Sequence, residues 1–201
     1  MRRVLILALL ALALPMAAFA SGIDLTNQFG SISVDNSGIV SRGSHLMSFN
    51  GIVASKGHSL GSVSFTTGAF DTSSGTIATG GSFFSTGSTF TVIGKGNSGV
   101  PKGVIFSGTF TGPILWTLTS SSGQNRVYTL SGQISGTLYT GNQVTGTTTQ
   151  TIFSTAGQLS QGIGHIRVGI THINSPEPGT LGLLGTGLVG IAGLFRRKKS
   201  A

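Results

Sequence analysis

The sequence predicts an all-β protein, an antiparallel sandwich or barrel-like meander, with an N-terminal signal peptide and a C-terminal transmembrane helix. Three observations carry this. Between Ser21 and Ser175 no apolar 3.6-residue period outlasts a turn or two, and apolar residues alternate with Ser and Thr instead. Gly fills 33 of the 201 positions, and it gathers with Ser and Asn in clusters that read as turns. Charged residues make up only 8% of the chain, against roughly 25% in ordinary soluble domains. Short strands joined by tight turns at this spacing fit a sandwich or a barrel.

Residues 1–20 read as a secretory signal peptide. Arg2 and Arg3 form a positive start, and Val4 to Leu14 is an unbroken apolar run ended by Pro15. Ala18 and Ala20 then place small residues where a signal peptidase reads them, which predicts cleavage before Ser21. The apolar run is shorter than the ~20 residues a membrane span prefers. The chain has no cysteine, so an exported body must hold itself by its sheet and core rather than by disulfides.

Residues 21–173 form the Gly/Ser/Thr-rich body. Val63 and Phe65 alternate with Ser62, Ser64 and Thr66, and Phe90 and Val92 alternate with Thr89 and Thr91. Val104, Phe106, Leu115 and Trp116 follow. Tyr128, Leu130, Ile134 and Leu138 then share one parity. Ile166, Val168 and Ile170 are expected on one face that excludes Arg167 and Thr171. Phe106–Gly112 is echoed by Leu130–Gly136, and Val144–Thr147 repeats the first half of that pattern. The irregular spacing favours adjacent meander strands over a solenoid.

Residues 174–201 change character. Pro176, Glu177 and Pro178 precede a stretch without charge from Thr180 to Phe195, and Arg196, Arg197, Lys198 and Lys199 follow. At 1.5 Å per residue the apolar stretch reaches about 24 Å as a helix, short of a ~30 Å hydrocarbon core, so its flanks must snorkel or the bilayer must thin. The basic cluster is a stop-transfer signal that stays cytoplasmic under the positive-inside rule. The net charge of +8 therefore sits mostly at the two ends. Six basic residues face four acids in between, with no basic stripe to neutralise phosphates, and nucleic-acid binding is not expected.

The order Pro-Glu-Pro, a Leu/Gly-rich apolar segment and a terminal Arg/Lys cluster resembles the PEP-CTERM sorting signal, over Pro176 to Lys199. The resemblance implies recognition of Pro176, Glu177 and Pro178 by an exosortase, a membrane-embedded processing enzyme. It also implies a cell that makes exopolysaccharide. The expected course is export across the inner membrane, anchoring on its far side, then release to the cell surface or beyond after processing.

Three motifs in the body carry apparent chemistry. Gly57-His58-Ser59-Leu60-Gly61 is worded like a hydrolase nucleophile elbow, and Asp71 with His165 or His172 completes a triad order. The elbow needs a strand-to-helix turn, whereas Ser62 onward reads as a strand. Gly94–Gly99 matches a G-x-G-x-x-G pattern without the following helix or acid that a dinucleotide site requires. His165 and His172, seven apart, are expected on opposite faces, with no acid near them in sequence to complete a metal site.

No catalytic residue, metal or cofactor is therefore expected. The body is expected to be non-enzymatic, a structural or adhesive module beside exopolysaccharide. The alternatives are a carbohydrate-binding module using Trp116, Tyr128 or Tyr139, and, more remotely, a serine hydrolase using Ser59.

Overall fold

The alternation of apolar and hydroxyl residues becomes strands throughout the computed structural model, which describes residues 22–155, 158 and 164–174. The first are β1 (Ile23–Asp35), β2 (Gly38–Phe49), β3 (Ile52–Val53), β4 (Gly61–Thr66) and β5 (Gly80–Phe83). Next come β6 (Thr89–Lys95), β7 (Lys102–Phe110) and β8 (Ile114–Ser122). The last three are β9 (Asn125–Leu138), β10 (Gln143–Thr155) and β11 (Gly164–Asn174).

Neighbours run β10–β11–β1–β2–β4–β6–β7–β9, and β9 pairs again with β10, which closes an eight-stranded antiparallel barrel. Within the ring, closure removes the exposed edges that a Ser/Thr-rich sheet would otherwise offer for unwanted pairing. β9 spans 14 residues and serves two partners along one edge. Its residues 134–138 pair with 106–110 of β7, and its residues 125–131 pair with 115–122 of β8. β8 thus continues the sheet outside the ring and carries β5 on its far side.

Gly22–Asn174 is one compact unit, and its interior has two characters. On one side Phe65, Phe90, Phe106 and Phe110 are buried in mutual contact, with Phe90 5.9 Å from both Phe65 and Phe110 between ring centroids. Each such ring contributes roughly 1.5–3 kcal/mol by leaving water. On the other side Asn27, Ser44, Thr148, Gln150 and Thr171 are buried and bonded to one another. Asn27, Gly169 and Gln150 lie in one row across β1, β11 and β10. Gly169 leaves room for that contact: a Cβ would come within 2.0 Å of Gln150 Oε1 and 2.2 Å of Asn27 Oδ1, so the two amides would have to move.

The predicted parities hold for Val63, Phe65, Phe90, Val92, Tyr128, Leu130, Ile134 and Leu138, all of which point inward. The echoed segments lie on β7, β9 and β10, three neighbours in the sheet. One expectation fails, at a bulge. The register shifts between Ile166 and Val168, so Thr171 is buried and Ile170 is exposed, the reverse of the simple alternation. A second shift between Val92 and Ile93 buries Ile105 with Phe106 and turns Val104 outward.

Candidate functional site

Ser59 lies just before β4 and is only 6% exposed. Its neighbourhood differs from an elbow, since β4 rather than a helix follows. Lys95 Nζ donates to Ser59 Oγ at 2.6 Å. The proposed triad partners are engaged elsewhere. Asp71 accepts from the backbone and hydroxyl of Ser73, His172 bonds Asp24, and the His165 ring packs on Phe153. The hydrogen bonds that a Ser–His–Asp relay needs are therefore not formed by these residues. The Leu60 N–H, a natural oxyanion donor, is given to the Leu46 carbonyl.

Gly94–Gly99 lies in the hairpin between β6 and β7, with no helix to hold a pyrophosphate. The bulge near Arg167 also corrects the histidine expectation: His165 and His172 are both exposed on the outer face. Folding brings Asp24 to His172 from far along the chain, an acid that local sequence did not offer. Among the described residues no three His, Cys, Asp or Glu side chains gather as a metal site would need.

Trp116 is 1% exposed and stacks on Tyr128 at 4.5 Å with an 8° tilt. Trp116 Nε1 donates to the Ile77 carbonyl and the Tyr128 hydroxyl to that of Ala78, which fastens the 67–88 segment to β8 and β9. Both rings are core, as buried aromatics with a satisfied polar handle should be, and neither presents a face to a sugar. Tyr139, 57% exposed, stands apart from them.

Ile23 pairs with Ile173 and Asp24 with His172, so the first and last strands of the body lie side by side. β11 ends at Asn174, two positions before Pro176. The segment that begins there matches the family model of the PEP-CTERM protein-sorting motif over residues 176–198. The chain is a PEP-CTERM domain-containing protein. No curated protein and no solved structure matches it. The motif marks this PEP-CTERM protein for export and for targeting to an exosortase.

Pro176, Glu177, Pro178, the apolar segment, Arg196–Lys199 and the signal-peptide residues Ala18 and Ala20 lie outside the described residues. What the described residues of the PEP-CTERM protein add is a surface that sequence reasoning missed. A groove of about 280 Å³ on the barrel wall is lined by His45, Ser59, Ser62, Ile93 and Lys95 among others. Phe29 contacts His45 at its rim. The sequence held one signal for it, an aromatic residue directly before Gly30 inside a strand pattern.

Proposed function

We propose that the mature chain is a non-enzymatic envelope or extracellular-matrix protein, with a structural or adhesive β-barrel that works in association with exopolysaccharide. The observation that carries this reading is the junction between body and sorting motif. A closed barrel ends at Asn174 and the motif starts at residue 176, so a cut at Pro176–Pro178 leaves every described strand intact. The barrel wall supports it further. Thr145, Thr147 and Thr149 on β10, with Ser131 and Gln133 on β9, present neutral hydroxyl and amide groups toward solvent beside a groove of about 530 Å³. Such groups exchange hydrogen bonds with hydroxylated polymers as readily as with water.

The reading is tested by fractionating the matrix of a producing strain. The mature chain should co-purify with the polysaccharide and be released when the polymer is digested. Recovery of the chain in the free medium at the same level in a strain without the polymer would contradict it. Fluorophosphonate labelling mapped to Ser59 would instead favour the hydrolase.

A further inference from the structure

We infer that the wall of β1, β2, β4 and β6 near Phe29 and Lys95 binds a carboxylate-bearing sugar, such as a uronate residue of an acidic polysaccharide. This deepens the matrix reading above by naming a site and a ligand charge. It starts from strain. Phe29 has φ of +65°, a left-handed conformation that a bulky residue adopts at a cost. Gly30 follows at +78° and is pinned against β2, where a Cβ would lie 2.5 Å from the Ser44 nitrogen. Together they make a double register break in β1. Burial does not compensate Phe29, whose side chain is 54% exposed. Its ring meets His45 edge-on at 5.8 Å, which fixes an apolar face outside the barrel.

Beside that face lies a row of outward residues. His45 pairs with Ser62, Ser62 with Ile93 and Ile93 with Val104, across β2, β4, β6 and β7. Lys95 pairs with Lys102 one step further along β6 and β7, and Arg42 stands outward on β2. Among the described residues the one ion pair is His172 with Asp24, so Arg42, Lys95 and Lys102 have no carboxylate partner. Lys95 spends one of its three protons on Ser59 Oγ, which leaves two to donate. Cations, hydroxyl donors and a fixed aromatic face are what a sugar acid requires: charge for the carboxylate, hydrogen bonds for the ring hydroxyls and an apolar plane for the C–H face.

The test measures binding of the full chain, purified in nonionic detergent, to polygalacturonate, to its methyl ester and to dextran sulfate. The terminal basic clusters are common to every variant and set the same background. Polygalacturonate should bind in a salt-sensitive manner and more tightly than its methyl ester. Lys95→Gln and Phe29→Gly should each weaken it by about ten-fold, a loss of about 1.4 kcal/mol, whereas Lys56→Gln, with the same charge change outside the groove, should not. Phe29→Gly should melt no lower than the wild type, because glycine accepts a positive φ. Equal binding of the methyl ester, or a loss of dextran sulfate binding in Lys95→Gln as large as its loss of polygalacturonate, would overturn the proposal. So would equal losses in Lys56→Gln and Lys95→Gln, or wild-type affinity in Phe29→Gly. Each of these would leave the matrix-association result above untouched.

Discussion

Asn27 and Gln150 exchange two hydrogen bonds inside the barrel, one at 3.0 Å and its reciprocal at 3.3 Å, passing over the bare backbone of Gly169. The two residues lie 123 positions apart, and the contact joins the first strand of the body to its penultimate one. Asn27 Nδ2 also donates to Ser44 Oγ, and Gln150 Nε2 to Thr148 Oγ1. Buried amides are stabilising only when satisfied, and here both are. Any register slip in β11 would replace Gly169 with a side chain and break the pair, so the network selects the register that closes the barrel.

Gly169→Ala should therefore cost about 1–3 kcal/mol, as overpacking does in a filled core. Gln150→Leu should cost a similar amount, because it leaves the Asn27 amide buried without its partner. Urea denaturation of the two variants measures both, and the double variant should lose less than the sum, since the sites share one contact.

Trp116 is the single Trp of the chain and reports on the segment that covers it. Its emission should be that of a buried indole and shift red on unfolding. Trp116→Phe removes the bond to the Ile77 carbonyl and should cost about 1–2 kcal/mol. Limited proteolysis of that variant should cut first within residues 67–88.

Two groups contribute to the pH dependence of stability. The Ser37 hydroxyl, then the Ser37 and Gly38 N–H groups, bond the Asp35 carboxylate and hold it below the ordinary value of 3.8. Folding thus favours the ionised form, and this contribution is present above the ordinary range and lost as pH falls through the folded value. Burial pushes the Tyr128 phenol above its ordinary range, against a smaller opposing effect of Arg126. The unfolded chain then loses that proton first, so stability falls as pH rises past about 10. Melting curves across pH should show Asp35→Asn flattening the acid limb and Tyr128→Phe the alkaline one.

Much of the barrel was legible in the chain because a strand writes its faces with a period of two. Tyr128, Leu130, Ile134 and Leu138 kept that period for the whole of β9, and their inward placement followed. The period fails where one residue is inserted against the partner strand. The bulges near Arg167 and Val104 each reverse the faces beyond them, and nothing in the local residue types marks them. Closure was also hidden, because the Asn27–Gln150 contact depends on two distant strands meeting across a third. The groove was hidden for the same reason: Lys95 reaches Ser59 only after β6 pairs with β4. The sorting segment was legible because it is a local signal, read in order along the chain.

We propose that export rests on the first twenty residues. Replacing Ala8, Leu9 and Leu10 with charged residues should leave the precursor in the cytoplasm, since the apolar run could no longer enter the translocon. Removing the four charges of Arg196–Lys199 should separately weaken membrane retention without blocking export. Fractionation with an antibody to the barrel distinguishes the two effects.

We propose that the exported barrel is released by an exosortase acting at the segment that begins two residues beyond β11. Pro176 and Pro178 favour extended backbone at Ser175 and Glu177, and Glu177 is the sole acid beyond Asp71. The most direct test is the intact mass of surface protein from a host with an exosortase, for wild type and for Glu177→Ala. The wild-type chain should begin at Ser21, end close to Ser175–Gly179 and lack residues 180–201, while Glu177→Ala should retain them with the barrel folded. Equal retention of residues 180–201 in both proteins would contradict the claim.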